Sequence, residues 1–166
     1  MIHRRTRGTA GSQPRTLDRI DRMILTALQA DGRKSVSQLA REVHLTTSPC
    51  LDRVRKLEQE GFIQGYTAIV NHSYLGATLL AFVGVCVDRT DARAFQRFRD
   101  MLMTFAEVIE CHMVAGSFDC LIKVRVADID AYRQFLGERL AALPGITQTH
   151  TYVAMEEVKT AIKPKT

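Results

Sequence analysis

Apolar positions recur at helical spacing through the first third of the chain and switch to strand spacing beyond residue 78. Leu17, Ile20, Ile24 and Leu28 recur every three to four residues, which predicts an amphipathic helix. Thr16 offers an N-cap, Asp18 suits the positive helix start, and Gly32 supplies a stop. Ser35 and Gln38 fit a capping box for a second, short helix that carries Leu39, Ala40 and Val43 on one face and ends at His44-Leu45. A third helix is capped in this reading by Ser48, with Pro49 in the first position, where a missing N–H costs nothing. Its stripe is Cys50, Leu51, Val54 and Leu57, and Gly61 ends it. Residues 62–70 read as a strand, a turn at Gln64-Gly65 and a second strand. Three helices and a small β-ribbon predict a winged helix-turn-helix.

The second half predicts a buried strand at 79–87 and a helix at 91–105 with Phe95, Phe98, Leu102 and Phe105 on its apolar side. Strands at 108–114 and 118–126 flank Ala115-Gly116-Ser117, a hairpin signal. A helix follows at 129–143, with Tyr132, Phe135, Leu136, Leu140 and Leu143 apolar, and Pro144-Gly145 breaks it before a last strand at 146–155. The order β-α-β-β-α-β is the split ferredoxin-like pattern. The fold class is therefore α+β. Its expected divisions are a disordered basic arm (1–15), a winged helix-turn-helix domain (16–70), a linker (71–78), a ferredoxin-like domain (79–158) and a tail (159–166).

Charge sharpens this division. The 166 residues carry a net +5. Residues 1–16 hold four Arg and no acid, residues 17–65 hold eight bases against seven acids, and the remainder is balanced at eleven against eleven. The surplus points to an anionic partner at the N-terminal end. Cys50, Cys86, Cys111 and Cys120 lack C-x-x-C spacing and read as reduced thiols. With no secretory pattern in residues 1–16 and no run near the roughly 18 apolar residues of a membrane span, the expectation is a soluble cytoplasmic protein without membrane contact.

Two helices joined by a short turn let the second enter the major groove of double-stranded DNA. Away from the apolar stripe of the third helix lie Ser48, Asp52, Arg53, Arg55 and Lys56, and the cations can reach phosphates or the O6/N7 edge of guanine. Thr46, Thr47 and Ser48 can donate to phosphates at the helix start. Residues 53–56 also fit a solvated face, and the spacing leaves both readings open.

The second half offers little for catalysis. Cys111 and His112 are strand neighbours facing opposite ways, Glu110 and His112 are too few ligands for a metal, and no phosphate loop, G-x-S-x-G or H-E-x-x-H occurs. No enzyme, cofactor or metal is expected. The hairpin loop suits a zwitterion instead. N–H groups around Gly116 and Ser117 would hold an α-carboxylate, and Asp119 would hold the ammonium, with Met113 beside them. Gly116 reads equally as a turn glycine and Asp119 as a strand-edge charge.

Several runs, in order over about residues 17–160, resemble one family. They are Leu17-Asp-Arg-Ile-Asp21, Ser48-Pro-Cys-Leu-Asp-Arg-Val-Arg-Lys-Leu-Glu58, and Gly61-Phe-Ile-Gln-Gly-Tyr-Thr-Ala68. Glu110-Cys-His112, Gly116-x-Phe-Asp119, Leu143-Pro-Gly-Ile146 and Thr151-Tyr-Val-x-Met-Glu-Glu-Val-Lys159 complete the set. The chain resembles the Lrp/AsnC, or feast/famine, regulators. That resemblance implies a DNA-binding transcriptional regulator that controls amino-acid metabolism genes, or a single catabolic operon. It also implies a small amino-acid effector between subunits, at Met113, Gly116, Asp119, Tyr152 and Val153, with leucine the default. Dimers assembling further, in octamer-like fashion, are implied too. A module that senses amino acids without binding DNA is the alternative from another class. This chain departs from the pattern at His44, where relatives often carry Gly, and at residues 46–50 (Thr-Thr-Ser-Pro-Cys for Ser-Pro-Thr-Pro-Cys). Ser117 and Cys120 stand where relatives carry Asp and Tyr.

Overall fold

A computed structural model describes residues 16–88 and 92–159. The arm expected at 1–15, the residue Asp91 expected to open the fourth helix, and the tail beyond Lys159 lie outside the described residues. The chain divides into two compact units, with the boundary between Ile69 and Val70.

The first unit holds α1 (Arg19–Ala30), α2 (Val36–Glu42) and α3 (Thr47–Gln59). Its core is Ile24, Ala27, Leu39, Ala40, Val43, Cys50, Val54 and Leu57; Leu17, Ile20 and Leu28 of the expected α1 stripe pack against it partly buried, and Leu51 of the expected α3 stripe is not part of it. The α1 cap is Asp18 rather than Thr16. The Asp18 carboxylate accepts from the N–H of Asp21, and the Asp21 carboxylate accepts in return from the N–H of Asp18. An aspartate at N-cap adds favourable charge at the helix start, which a threonine lacks. The Ser35/Gln38 capping box of α2 forms as expected. α3 starts earlier than predicted: Thr46 is its N-cap and Ser48 lies in the first turn. Pro49 then occupies the third helical position, still among the N–H groups that have no acceptor inside the helix.

The α2–α3 turn is closed by a paired C-terminal motif. The N–H of Leu45 reaches the carbonyl of Ala40 and that of His44 reaches Arg41. The residue between, His44, has φ +57, the left-handed conformation that usually calls for glycine.

Residues 62–70 do not form the expected pair of strands. Residues 64–70 run without a ladder among the described residues, and Tyr66, Ile69 and Val70 are exposed. A two-stranded ribbon with one solvated face has too little apolar cover to stand alone. The segment is tied back through Tyr66, whose hydroxyl donates to Glu58 Oε1 at 2.9 Å. The expected linker also has structure: a 3-10 turn, His72–Leu75, capped by Asn71 and ended by Gly76 at φ +70.

The second unit has the β-α-β-β-α-β order. β1 (Leu79–Val87), α4 (Ala92–Leu102), β2 (Val108–Met113), β3 (Cys120–Val126), α5 (Ile129–Gln134) and β4 (Ile146–Val153) follow in sequence. The four antiparallel strands lie in the order β2-β3-β1-β4. Alternate residues Ala81, Val83, Val85 and Val87 meet Cys120, Ile122, Val124 and Val126, with Phe98, Leu102, Tyr132 and Phe135, in one core. The long helix expected at 129–143 is instead α5 followed by a π-helical turn at Phe135–Leu140. The five-residue hydrogen-bond step brings Phe135 and Leu140 to the same buried side, which the tighter α-helical step would not do. The opposite face of the sheet carries Leu80, Phe82, Gly84 and Leu121 and has no helix laid over it by the described elements. The Phe118 ring lies on it, 2.7 Å from where a Cβ on Gly84 would stand. Any larger residue at 84 would displace that ring.

Candidate nucleic-acid interface and effector loop

α3 sorts its side chains by angle. Cys50, Val54 and Leu57 point into the core. Ser48, Asp52 and Arg55, with Gln59, succeed one another at three- and four-residue steps on the opposite, exposed face. Arg55 and Asp52 have no ion-pair partner among the described residues. Lys56 is exposed and lies 4.0 Å from Glu60. The Thr46 hydroxyl makes no cap hydrogen bond, and Thr46, Thr47 and Ser48 are all exposed. The helix start therefore presents three hydroxyls and free N–H groups, the donor set that suits a phosphate.

Arg53 is placed differently from its neighbours. It lies on the flank of α3 beside the buried stripe, and its Nη1 sits 2.6 Å from Asp18 Oδ2 and 2.7 Å from Asp21 Oδ1. Asp21 is fully buried, the one buried charged residue among those described. The guanidinium stays charged more firmly than usual because both carboxylates hydrogen-bond to it. The Asp18 carboxyl is held below its ordinary range, first by the N–H of Asp21 and then by Arg53. Arg53, expected to be a groove-facing cation like Arg55, is engaged through Nη1 in locking α3 onto the start of α1. The sequence did carry the signal, since Asp21 interrupts the apolar stripe of α1 with an acid that burial would not tolerate unpaired.

The hairpin between β2 and β3 is held at its base. The N–H of Val114 reaches the carbonyl of Asp119, and the N–H of Asp119 reaches Val85. Asp119 Oδ2 accepts from the N–H of Val87 at 2.8 Å, where the β1–β4 register shifts between Cys86 and Val87. The carboxylate thus anchors the loop to the neighbouring strand. Met113, Gly116 and Ser117 are exposed. Gly116 is not in the left-handed region, and a Cβ there would meet nothing within 4 Å, so no steric demand of the turn explains it. Tyr152 and Val153 are exposed, but they are not brought to the hairpin. Cys120 lies opposite Val85, whereas Tyr152 lies opposite Phe82, three residues further along β1. At strand rise that separates them by about 10 Å along the sheet.

Near the loop lies a charged row on the open sheet face. Glu110 Oε1 pairs with Lys123 at 3.2 Å and its Oε2 lies 3.2 Å from His112 Nε2; both lower its carboxyl pKa, His112 more than Lys123. No group of three metal-ligating side chains occurs among the described residues. No helix among the described residues is long and apolar enough to cross a membrane.

Comparison with known proteins matches residues 17–64 to the winged helix-turn-helix DNA-binding domain and residues 80–163 to the Lrp/AsnC ligand binding domain. The chain belongs to the Lrp/AsnC family. Among relatives of that family, the leucine-responsive regulatory protein of Escherichia coli strain K12 is 53% identical over 143 residues, 86% of this chain and 87% of that protein. The same protein from Klebsiella pneumoniae gives the same figures. A transcriptional regulator from Neisseria meningitidis, solved in complex with L-Met, superposes with a TM-score of 0.83 at 29% identity over 87% of this chain and 94% of its own. Escherichia coli AsnC superposes with a TM-score of 0.79 at 25% identity over 91% and 100%. As a member of the Lrp/AsnC family, the protein is a DNA-binding transcription regulator whose second domain takes an amino-acid effector.

Proposed function

We propose that this regulator reads an operator through the exposed face of α3 and adjusts its occupancy to the level of an apolar α-amino acid, with leucine the default ligand. The observation that carries the first half is the contrast on α3. Arg53 braces the helix, while Ser48, Asp52 and Arg55 face outward, with no ion-pair partner for Asp52 or Arg55 among the described residues and with Lys56 and the hydroxyls of Thr46 and Thr47 beside them. For the effector, exposed backbone N–H groups around Gly116 and Ser117 suit an α-carboxylate, and Met113 offers apolar contact to a side chain. The Asp119 carboxylate is partly used in holding the loop, so it positions the loop as well as facing an ammonium group.

The reading includes self-association. Tyr152 and Val153 stand apart from the hairpin within one chain, so a site built from both sets needs a second copy. The open sheet face with the half-buried Phe82 and Leu121, and the extended residues 64–70 with Ile69 and Val70 exposed, are surfaces such a copy would cover. A two-fold dimer would present two α3 helices to a two-fold operator. We assign the protein no catalytic step and place it in the cytoplasm with its DNA.

Calorimetric titration of the purified protein with single amino acids, followed by fluorescence anisotropy on operator DNA with and without the best ligand, tests the reading. Binding of leucine or methionine that shifts DNA affinity or particle size supports it. Absence of binding by every apolar amino acid overturns the effector assignment.

A further inference from the structure

The hairpin is bracketed by two thiols. Cys111 lies on β2 opposite Ile122, and Cys120 lies on β3 opposite Met113. Ile122 and Cys120 belong to the same buried layer, so Cys111 and Cys120 are diagonal neighbours on the helix-covered face. β2 is the edge of the sheet, which leaves Cys111 exposed while Cys120 is buried. The register sets the two side chains side by side on that face, and Arg99 on α4 and His112 lie close enough to draw the thiol down. Cys111 is consequently drawn down to about 7, first by the Cys120 hydrogen bond and then by those two neighbours, against the opposing effect of its partial burial. An exposed thiol within the field of the Arg99 guanidinium, with a second thiol on the diagonal, has the arrangement of a reactive cysteine and its resolving partner. Position 120 is also where the family resemblance leads one to expect Tyr.

We propose that Cys111 and Cys120 form a hydroperoxide-reactive dithiol whose oxidation to a disulfide staples the base of the 113–119 hairpin. The Cys111 thiolate attacks the outer oxygen of the hydroperoxide, forming an S–O bond, and the departing alkoxide or hydroxide takes up a proton. The Cys120 thiol then attacks the sulfenic sulfur. The S–S bond forms, the S–O bond breaks, and hydroxide leaves as water with the Cys120 proton. Two electrons pass from the two thiols to the peroxide. Diagonal neighbours lie at the outer limit of disulfide reach, so closure draws the edge strand inward and yields a strained bond that thiols reduce readily. The loop moved by this closure is the one assigned above to the amino acid, so the effect on ligand binding, unlike the dithiol itself, rests on that assignment.

Both cysteines fall in the tryptic peptide 100–123, so mass spectrometry of the full-length protein reads the chemistry directly. After brief hydrogen peroxide treatment and blocking of remaining thiols, this peptide should be two hydrogens lighter and unblocked, and dithiothreitol should restore it. Cys120→Ser keeps a hydrogen-bond donor but removes the resolving sulfur, and should accumulate a dimedone adduct on Cys111. Cys120→Ala serves the same end should the serine variant fold poorly. At neutral pH, Cys111 should alkylate roughly tenfold faster than the half-buried Cys86. Equal alkylation rates, or a peptide that acquires neither crosslink nor adduct, overturn the proposal. Calorimetry with leucine on oxidised and reduced protein reads the consequence separately. Crosslinked protein that binds as well as reduced protein rejects the coupling, and reduced protein that binds no apolar amino acid rejects the effector assignment while leaving the dithiol result standing.

Discussion

The two units hold their functional residues in opposite ways. In the helical unit the outward face of α3 is finished within one chain, because an apolar core and the ion pair of Arg53 with the buried Asp21 fix the helix on which it sits. In the sheet unit the proposed effector residues are split. The hairpin is at one end of the sheet, Tyr152 and Val153 are some way along it, and the loop rests on a few backbone bonds and the Asp119 anchor. A rigid platform suits groove contacts whose spacing is set by DNA. A lightly held loop suits a site that must report whether a ligand is present.

Removing the brace should have the largest effect. Arg53→Ala takes the guanidinium from a fully buried carboxylate, and thermal melting should show the helical unit losing about 3 kcal/mol, the low end for such pairs because Arg53 is partly exposed and the Asp18 N–H still reaches Asp21. The double variant Arg53→Met with Asp21→Leu should recover most of that loss. Operator affinity measured in the recovered protein then isolates any direct contact by Arg53. If affinity returns with stability, the side chain only positions α3.

On the other side of the comparison, Asp119→Asn keeps an oxygen for the Val87 N–H but removes the charge. The hairpin should persist, while calorimetric amino-acid affinity falls by about tenfold to a hundredfold, the worth of a charge-assisted hydrogen bond. Unaltered affinity would reduce Asp119 to a loop anchor. Arg55→Ala should leave melting unchanged and weaken operator binding by about 1 to 3 kcal/mol if it reads a guanine. If it contacts a phosphate instead, the logarithmic salt slope should drop by about one.

The smallest effect concerns the tether of residues 62–70. The phenol of Tyr66 is pushed up to about 12 by burial first and by the Glu58 hydrogen bond and charge second. A folded pKa above the ordinary 10.0 stabilises fully below that value, so the contribution fades as pH rises from 10 toward 12. Phenolate absorbance should show this titration late, and Glu58→Gln should move it down.

Much of this was legible along the chain. The stripes of α1 to α3, the Ser35/Gln38 capping box and the β-α-β-β-α-β order are periodicities of neighbouring residues, and local sterics impose them wherever the chain folds. Positive φ at His44 was also foreseeable from its position in the turn. Pairing across sequence was not. Nothing in spacing separates Arg53 from Arg55, two residues away, yet one is bound to α1 and the other faces out. Residues 62–70 alternate like strands but find no ladder partner in one chain, because strand formation needs a neighbour as well as a pattern.

The sequence by itself determined the elements, their order and the chemical types near each candidate site, because helix and strand periods are properties of contiguous residues. Only the tertiary structure decided which charges are spent inside the fold, that the hairpin and Tyr152 lie apart, and that Cys111 meets Cys120. Those outcomes depend on register and crossing geometry between segments far apart in sequence, 35 positions for Asp18 and Arg53 and more for the β1–β4 pairing of Phe82 with Tyr152, and no local pattern encodes them.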